Sequence, residues 1–168
     1  MLLLALVFYL HYEAPEEEQN FAMVMEMLRA AAIEDEEDNR PSPLDNLFAD
    51  LELDNPDHIA LKYYRSYHSG SAKTLKSIQI TLAARLEKFN LESLAALTSA
   101  DELDLASMGE RKTALFALIP DNDSSFNFLV SILYTQLFQQ LFYSADHIHG
   151  GSLPVPVHFM MDEFANVS

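Results

Sequence analysis

Near the C-terminus, PVPVHFMMDEFANVS, Pro154 to Ser168, sets a mostly apolar run, Val155 to Met161, directly before the acidic pair Asp162 and Glu163. An apolar strand in the middle of a parallel sheet is covered on both faces, and ligands of such sheets collect at the carboxyl ends of the strands. Two carboxylates placed there suit nucleoside triphosphate chemistry. The aspartate holds Mg²⁺, usually through water, and the glutamate orients or activates the water that attacks the γ-phosphate. This is the Walker B pattern, of modest specificity by itself because strands often end in acidic residues.

Its complement is G-x-x-x-x-G-K-S/T, whose glycines let backbone N–H groups cradle phosphate while the lysine reaches the β- and γ-phosphates. The nearest stretch, YHSGSAKT, has Lys73 and Thr74, but Tyr67 and Ala72 stand where the glycines should be. It also lies between helical patterns instead of after a buried strand. The chain therefore lacks a phosphate cradle of its own, and ATP turnover by it alone is not expected.

Six of the 10 basic residues lie between Lys62 and Lys88, where Glu87 is the only acid. On one continuous helix Lys62, Arg65, Lys73 and Lys76 fall within about 80° of each other, a stripe that could meet DNA or a protein partner. Gly70 threatens that continuity, and a charged run is more often a solvated face. Tyr63, Tyr64 and Tyr67 could stack on bases but suit a helix interface better. Asp146, His147 and His149 supply too few clustered ligands for a metal site.

These groups need elements to hold them. The apolar run Met1 to Leu10 is about half the length of a membrane-spanning helix and lacks a basic leader and a cleavage site, so it reads as a buried helix. Asn20 can cap a helix carrying Phe21, Val24, Met25 and Leu28. Glu34 to Pro43 reads as a charged linker. Ser42-Pro43 opens the next helix, with Leu44, Leu47, Phe48 and Leu51 on one face, and Asn55-Pro56 repeats the device. Ser71 to Phe89 and Asn90 to Leu97 continue the helical pattern.

Beyond Arg111 the pattern changes. Lys112 to Pro120 reads as a strand buried on both faces, Ser124 or Ser125 caps an apolar helix through Tyr143, and Val155 to Met161 forms a second strand. Strand, helix, strand is a parallel crossover unit. The expected architecture is an α-rich α/β chain: an all-α domain over residues 1–100, then part of a parallel-sheet nucleotide-binding domain over residues 101–168.

The 168 residues are 49% hydrophobic with 4 Gly and 7 Pro, a composition that folds. The net charge of −16 excludes a chain that coats nucleic acid along its length. With no Cys there is neither a disulfide framework nor a thiolate site.

The segments RKTALFALIPDNDSSFNFLVSILYTQLFQQLF and PVHFMMDEFANV, with YEAPEEEQNFAMVMEMLRAA and DELDLASMGERKTALF, closely resemble TraG-type type IV coupling proteins of Gram-positive conjugative elements. The resemblance spans essentially the whole chain. It implies a membrane-anchored, RecA-like and hexameric motor that couples ATP hydrolysis to export of single-stranded DNA and its relaxase through a type IV secretion channel. It implies an all-α domain inserted before Walker B, with Asp162 binding Mg²⁺ and ATP and Glu163 activating water. On this reading the chain is a fragment at the cytoplasmic face of the membrane, without anchor or Walker A loop. It would bind no cofactor alone and would self-associate through an exposed apolar edge at Lys112 to Ile119 or Val155 to Met161. The competing reading is a helical module that recognises relaxase, accessory protein or DNA without activity of its own.

Overall fold

The computed structural model describes residues 1–31, 41–119 and 126–162. The chain divides into two compact units, Met1–Asp101 and Glu102–Ser168.

The first unit is helical, and its caps explain where the helices start. Helix α1 (Leu2–Glu13) is followed by α2 (Phe21–Ala30), which starts where Asn20 Oδ1 accepts the Met23 N–H at 3.0 Å. Helix α3 (Pro43–Asp54) opens with a reciprocal capping box between Ser42 and Asp45, with Pro43 in the first turn. Helix α4 (Ile59–His68) departs from expectation: its cap is His58, whose Nδ1 accepts the Ala60 N–H at 3.1 Å. Asn55 instead closes α3 with its own N–H on the Leu51 carbonyl. Ser71 caps α5 (Ala72–Leu86), and α6 (Glu92–Leu97) begins from Leu91 after a short 3₁₀ turn, Glu87–Asn90.

Packing in this unit centres on α1, α3 and α4. Leu2 and Leu6 from α1, Leu44 and Phe48 from α3, and Leu61 from α4 are fully buried. Helix α1 lies chiefly along α4, where Phe8 stacks on Tyr63 at 5.4 Å. Phe48 and Tyr64 form a parallel stack, centroids 3.8 Å apart and planes within 2°. Helix α5 is tied more lightly: Leu86 is its buried residue, and Gln79 donates to the Ala31 carbonyl at 3.1 Å and to Tyr67 Oη at 2.9 Å. No helix among the described residues is long and apolar enough to cross a membrane.

The second unit is built on α7 (Asn127–Tyr143), which runs into a π-helical turn, Ser144–Ile148. Met108, Leu137 and Leu141 form its core, with Leu105, Leu153 and Val157 packed against them. Gly109 sits at φ +87°, where a Cβ would come within 3.1 Å of Leu153 and 3.2 Å of Leu141, so the position demands glycine both for its dihedral and for space. Its carbonyl accepts the Val155 N–H at 2.9 Å.

The α/β expectation is overturned. Apart from an isolated bridge between Met108 and Arg111, no β pairing occurs among the described residues, and both units are α. Among the described residues there is no parallel crossover and no RecA-like sheet. Neither Lys112 to Ile119 nor Val155 to Met161 is a strand. A strand exists only when a ladder takes up its backbone groups. Pro156 removes a donor from the second segment and Pro154 another just before it, which disqualifies it as a central strand. In the first segment the apolar side chains face water: Phe116 is 83% and Leu118 94% exposed. The expected capping serines, Ser124 and Ser125, lie outside the described residues, as does most of Glu34 to Pro43. Helix α7 is apolar all round yet only partly covered: Leu137 and Leu141 are buried, whereas Phe142 and Tyr143 are exposed.

Truncating the stacked ring should cost the first unit much of its stability. Phe48→Ala is expected to lower unfolding free energy by about 3–5 kcal/mol, against about 0.5 kcal/mol or less for the exposed Leu53→Ala on the same helix, as measured by urea unfolding followed by far-UV circular dichroism.

Candidate functional site

Asp162 occupies an exposed turn directly after the apolar segment. Glu163 lies outside the described residues. Among the described residues no group of three or more His, Asp or Glu is gathered as a metal cage.

The basic residues do not form one stripe, because the helix is interrupted between His68 and Ala72 and the four cations divide between α4 and α5. Lys62 sits 6.0 Å from the Tyr63 ring, and Arg65 pairs with Glu52 on α3 and donates to the Pro56 carbonyl at 3.3 Å. Lys73 and Lys76 are exposed on the first turns of α5. Tyr64 and Tyr67 are buried and Tyr63 half-buried, as an interface role requires.

An open hollow of about 220 Å³ lies between α3 and α4, floored by Phe48, Leu61 and Tyr64 and rimmed by Asp45, Glu52, Arg65 and His68. Its acid is already committed. Asp45 Oδ2 accepts the Ser42 N–H at 2.8 Å and the Ser42 hydroxyl at 2.7 Å. Oδ1 accepts the Tyr64 hydroxyl at 2.6 Å and lies 2.8 Å from His68 Nε2. A carboxylate offers about four acceptor positions, so this one has little left for a metal or for base catalysis. Burial by itself would raise its pKa, but the hydrogen bonds from Tyr64 and Ser42 and the nearby His68 outweigh that and hold it below the ordinary 3.8. Burial also pushes the Tyr64 hydroxyl upward, and there the Asp45 bond adds to the shift instead of opposing it. Sequence reading missed this hub, although its signal was present in the capping spacing of Ser42 and Asp45.

In the second unit Glu110 Oε1 accepts the Ser144 hydroxyl at 2.7 Å and lies 2.7 Å from His149 Nε2. These two bonds lower the Glu110 pKa. The residue types suggest a nucleophile triad, but the order is wrong. Serine donates to the carboxylate instead of to the imidazole, so no base stands ready to take its proton. The arrangement ties the turn after Gly109 to the end of α7. Nothing in the spacing of residues 110, 144 and 149 signals it in the sequence.

Because the folded pKa of Asp45 is depressed, its contribution to stability is complete above the unfolded value near 3.8 and fades as pH falls through the folded value. Asp45→Asn is therefore expected to cost about 1–3 kcal/mol at pH 7, with the gap to the parent chain closing below pH 4. Urea unfolding between pH 2.5 and 7 measures it, and a gap that is constant across that range would contradict the assignment.

Comparison with known families completes the picture. A family model described as type IV secretory system conjugative DNA transfer matches residues 1–167. No curated protein and no solved structure matches the chain. The matched span takes in both helical units, the basic helix α5 and Asp162, in keeping with the resemblance carried by the DEFAN segment and the residues after Arg111. The chain belongs to the type IV secretory system conjugative DNA transfer family.

Proposed function

We propose that this chain is a segment of an ATP-driven coupling motor that recruits single-stranded DNA with its relaxase and passes it to the type IV secretion channel, at the cytoplasmic face of the membrane. The observation that carries the reading is the family match across residues 1–167 together with a carboxylate pair, Asp162 and Glu163, directly after an apolar segment. Mg²⁺ keeps several of its own waters and is held by one or two carboxylates plus substrate phosphates. Asp162 is exposed directly after the apolar segment, where a carboxylate can serve such an ion. Mg·ATP would supply the polarised γ-phosphate there; on this reading Asp162 would help hold the ion and Glu163 would orient the attacking water. The phosphate cradle is not in this sequence, so it comes from elsewhere in the motor, which on this reading assembles as a hexamer.

Glu163→Gln in a donor cell's transfer protein is expected to lower conjugation frequency by about 10²–10⁴-fold, the range for loss of a positioned base, at unchanged protein level. The chain alone is expected neither to hold Mg·ATP tightly nor to turn it over. Calorimetric titration and a phosphate-release assay check this, and turnover by the chain alone would sink the claim that the cradle lies elsewhere.

Self-association belongs to the same reading. Phe116, Leu118 and Met160 are 83%, 94% and 93% exposed and present apolar surface that water penalises. Sedimentation should show mass rising with concentration, and Phe116→Ser with Leu118→Ser should return the chain to a monomer.

A further inference from the structure

Residues 112–119 of the second unit belong to no helix and no ladder, and none of their backbone groups hydrogen-bonds to another described residue. Thr113 closes a side-chain bond on the Arg111 carbonyl, and beyond it Leu115, Phe116 and Leu118 are all open to water. Other large apolar side chains are exposed too, but on backbone that is engaged. Tyr12, Leu53 and Phe142 lie within α1, α3 and α7. The second apolar segment is pinned: the Val155 N–H is held by the Gly109 carbonyl, Val157 packs on the core, and Phe159 stacks on Phe138 at 4.6 Å.

We propose that residues 112–119 form a cleavage site for an endoprotease with a large apolar primary pocket, cut after Phe116, and that the second unit stays assembled once cut. A protease cleft takes several consecutive residues in extended form, pairing with their backbone groups, while one pocket selects the side chain before the scissile bond. A helical or packed site must first open locally, so its cleavage is slowed by the small population of the open form. This segment enters a cleft without that step. Phe116 stands between Leu115 and the small Ala117, whereas Leu118 is followed by the β-branched Ile119 and by Pro120, a stiffer stretch to seat. Water is added across the Phe116–Ala117 peptide bond, leaving a carboxylate on Phe116 and an amine on Ala117. The contacts that hold the second unit lie across the cut: Met108 packs on Leu137 and Leu141, Glu110 binds Ser144 and His149, and Gly109 binds Val155. The inference rests on no residue of the nucleotide reading.

The test treats the full chain briefly with chymotrypsin and reads the products by intact mass. Self-association would cover the same side chains, so the chain is diluted until sedimentation gives the monomer mass. The first products are expected to be residues 1–116 and 117–168, appearing about tenfold or more ahead of any cut within α7 or after Phe159. The two pieces should co-elute in size exclusion under native conditions and separate in urea. Leu115→Ser with Phe116→Ser and Leu118→Ser should slow cleavage in the segment about tenfold or more, since the pocket then has nothing to hold. Because these side chains are open to water, circular dichroism of the triple variant should match the parent. A first cut within a helix or after Phe159 would overturn the proposal, as would a Phe116–Ala117 bond that survives while the rest of the chain is digested. Pieces that part under native conditions, or a triple variant cut in the segment at the parent's rate, would overturn it equally.

Discussion

The first unit depends on one tethered aromatic contact. Phe48 of α3 and Tyr64 of α4 stack face on face, and the Tyr64 hydroxyl is held by Asp45, the residue that also closes the capping box at the start of α3. Helix initiation and helix packing thus share one carboxylate. The apolar stack excludes water, which strengthens the hydrogen bonds at its rim, and those bonds fix the ring that makes the stack. Helix α1 then has a firm surface in α4 to lie along, with Phe8 meeting Tyr63 on the next residue position.

The second unit solves its problem differently. Its core is small, and much of its order comes from backbone and polar ties: the glycine at 109, the Val155 amide on the Gly109 carbonyl, and Glu110 bound to Ser144 and to His149. Such ties fix chain direction without covering much apolar area. That is why large side chains on α7 and on the segment after Arg111 remain open to water.

Helix starts were readable in the sequence where a side chain caps through its own oxygen. Asn20, Ser42 and Ser71 announce themselves by residue type and spacing. His58 does not, because imidazole capping has no common signature, and Asn55 with Pro56 offered a more familiar one. The strands were misread for a different reason. Val155 to Met161 and Lys112 to Ile119 are apolar enough for a sheet interior, yet apolarity cannot say whether a neighbouring strand exists to pair with. Asp162 was visible by type, and the exposed turn that carries it could not be foreseen. The Asp45 hub was half visible: its bond to Ser42 is local, whereas Tyr64 and His68 reach it only through the packing of α3 on α4.

The light seating of α5 has a dynamic consequence. Its ties include the buried Leu86 and the two hydrogen bonds of Gln79, whereas α1, α3 and α4 share a deep core. Local opening costs least where little apolar surface is covered. Helix α5 can therefore lift and reseat as a sub-global unit while the clamp around Asp45 stays closed, and its amides will exchange with solvent well before those of α4. A helix of that kind can adjust its tilt to what it meets at little cost to the unit that carries it.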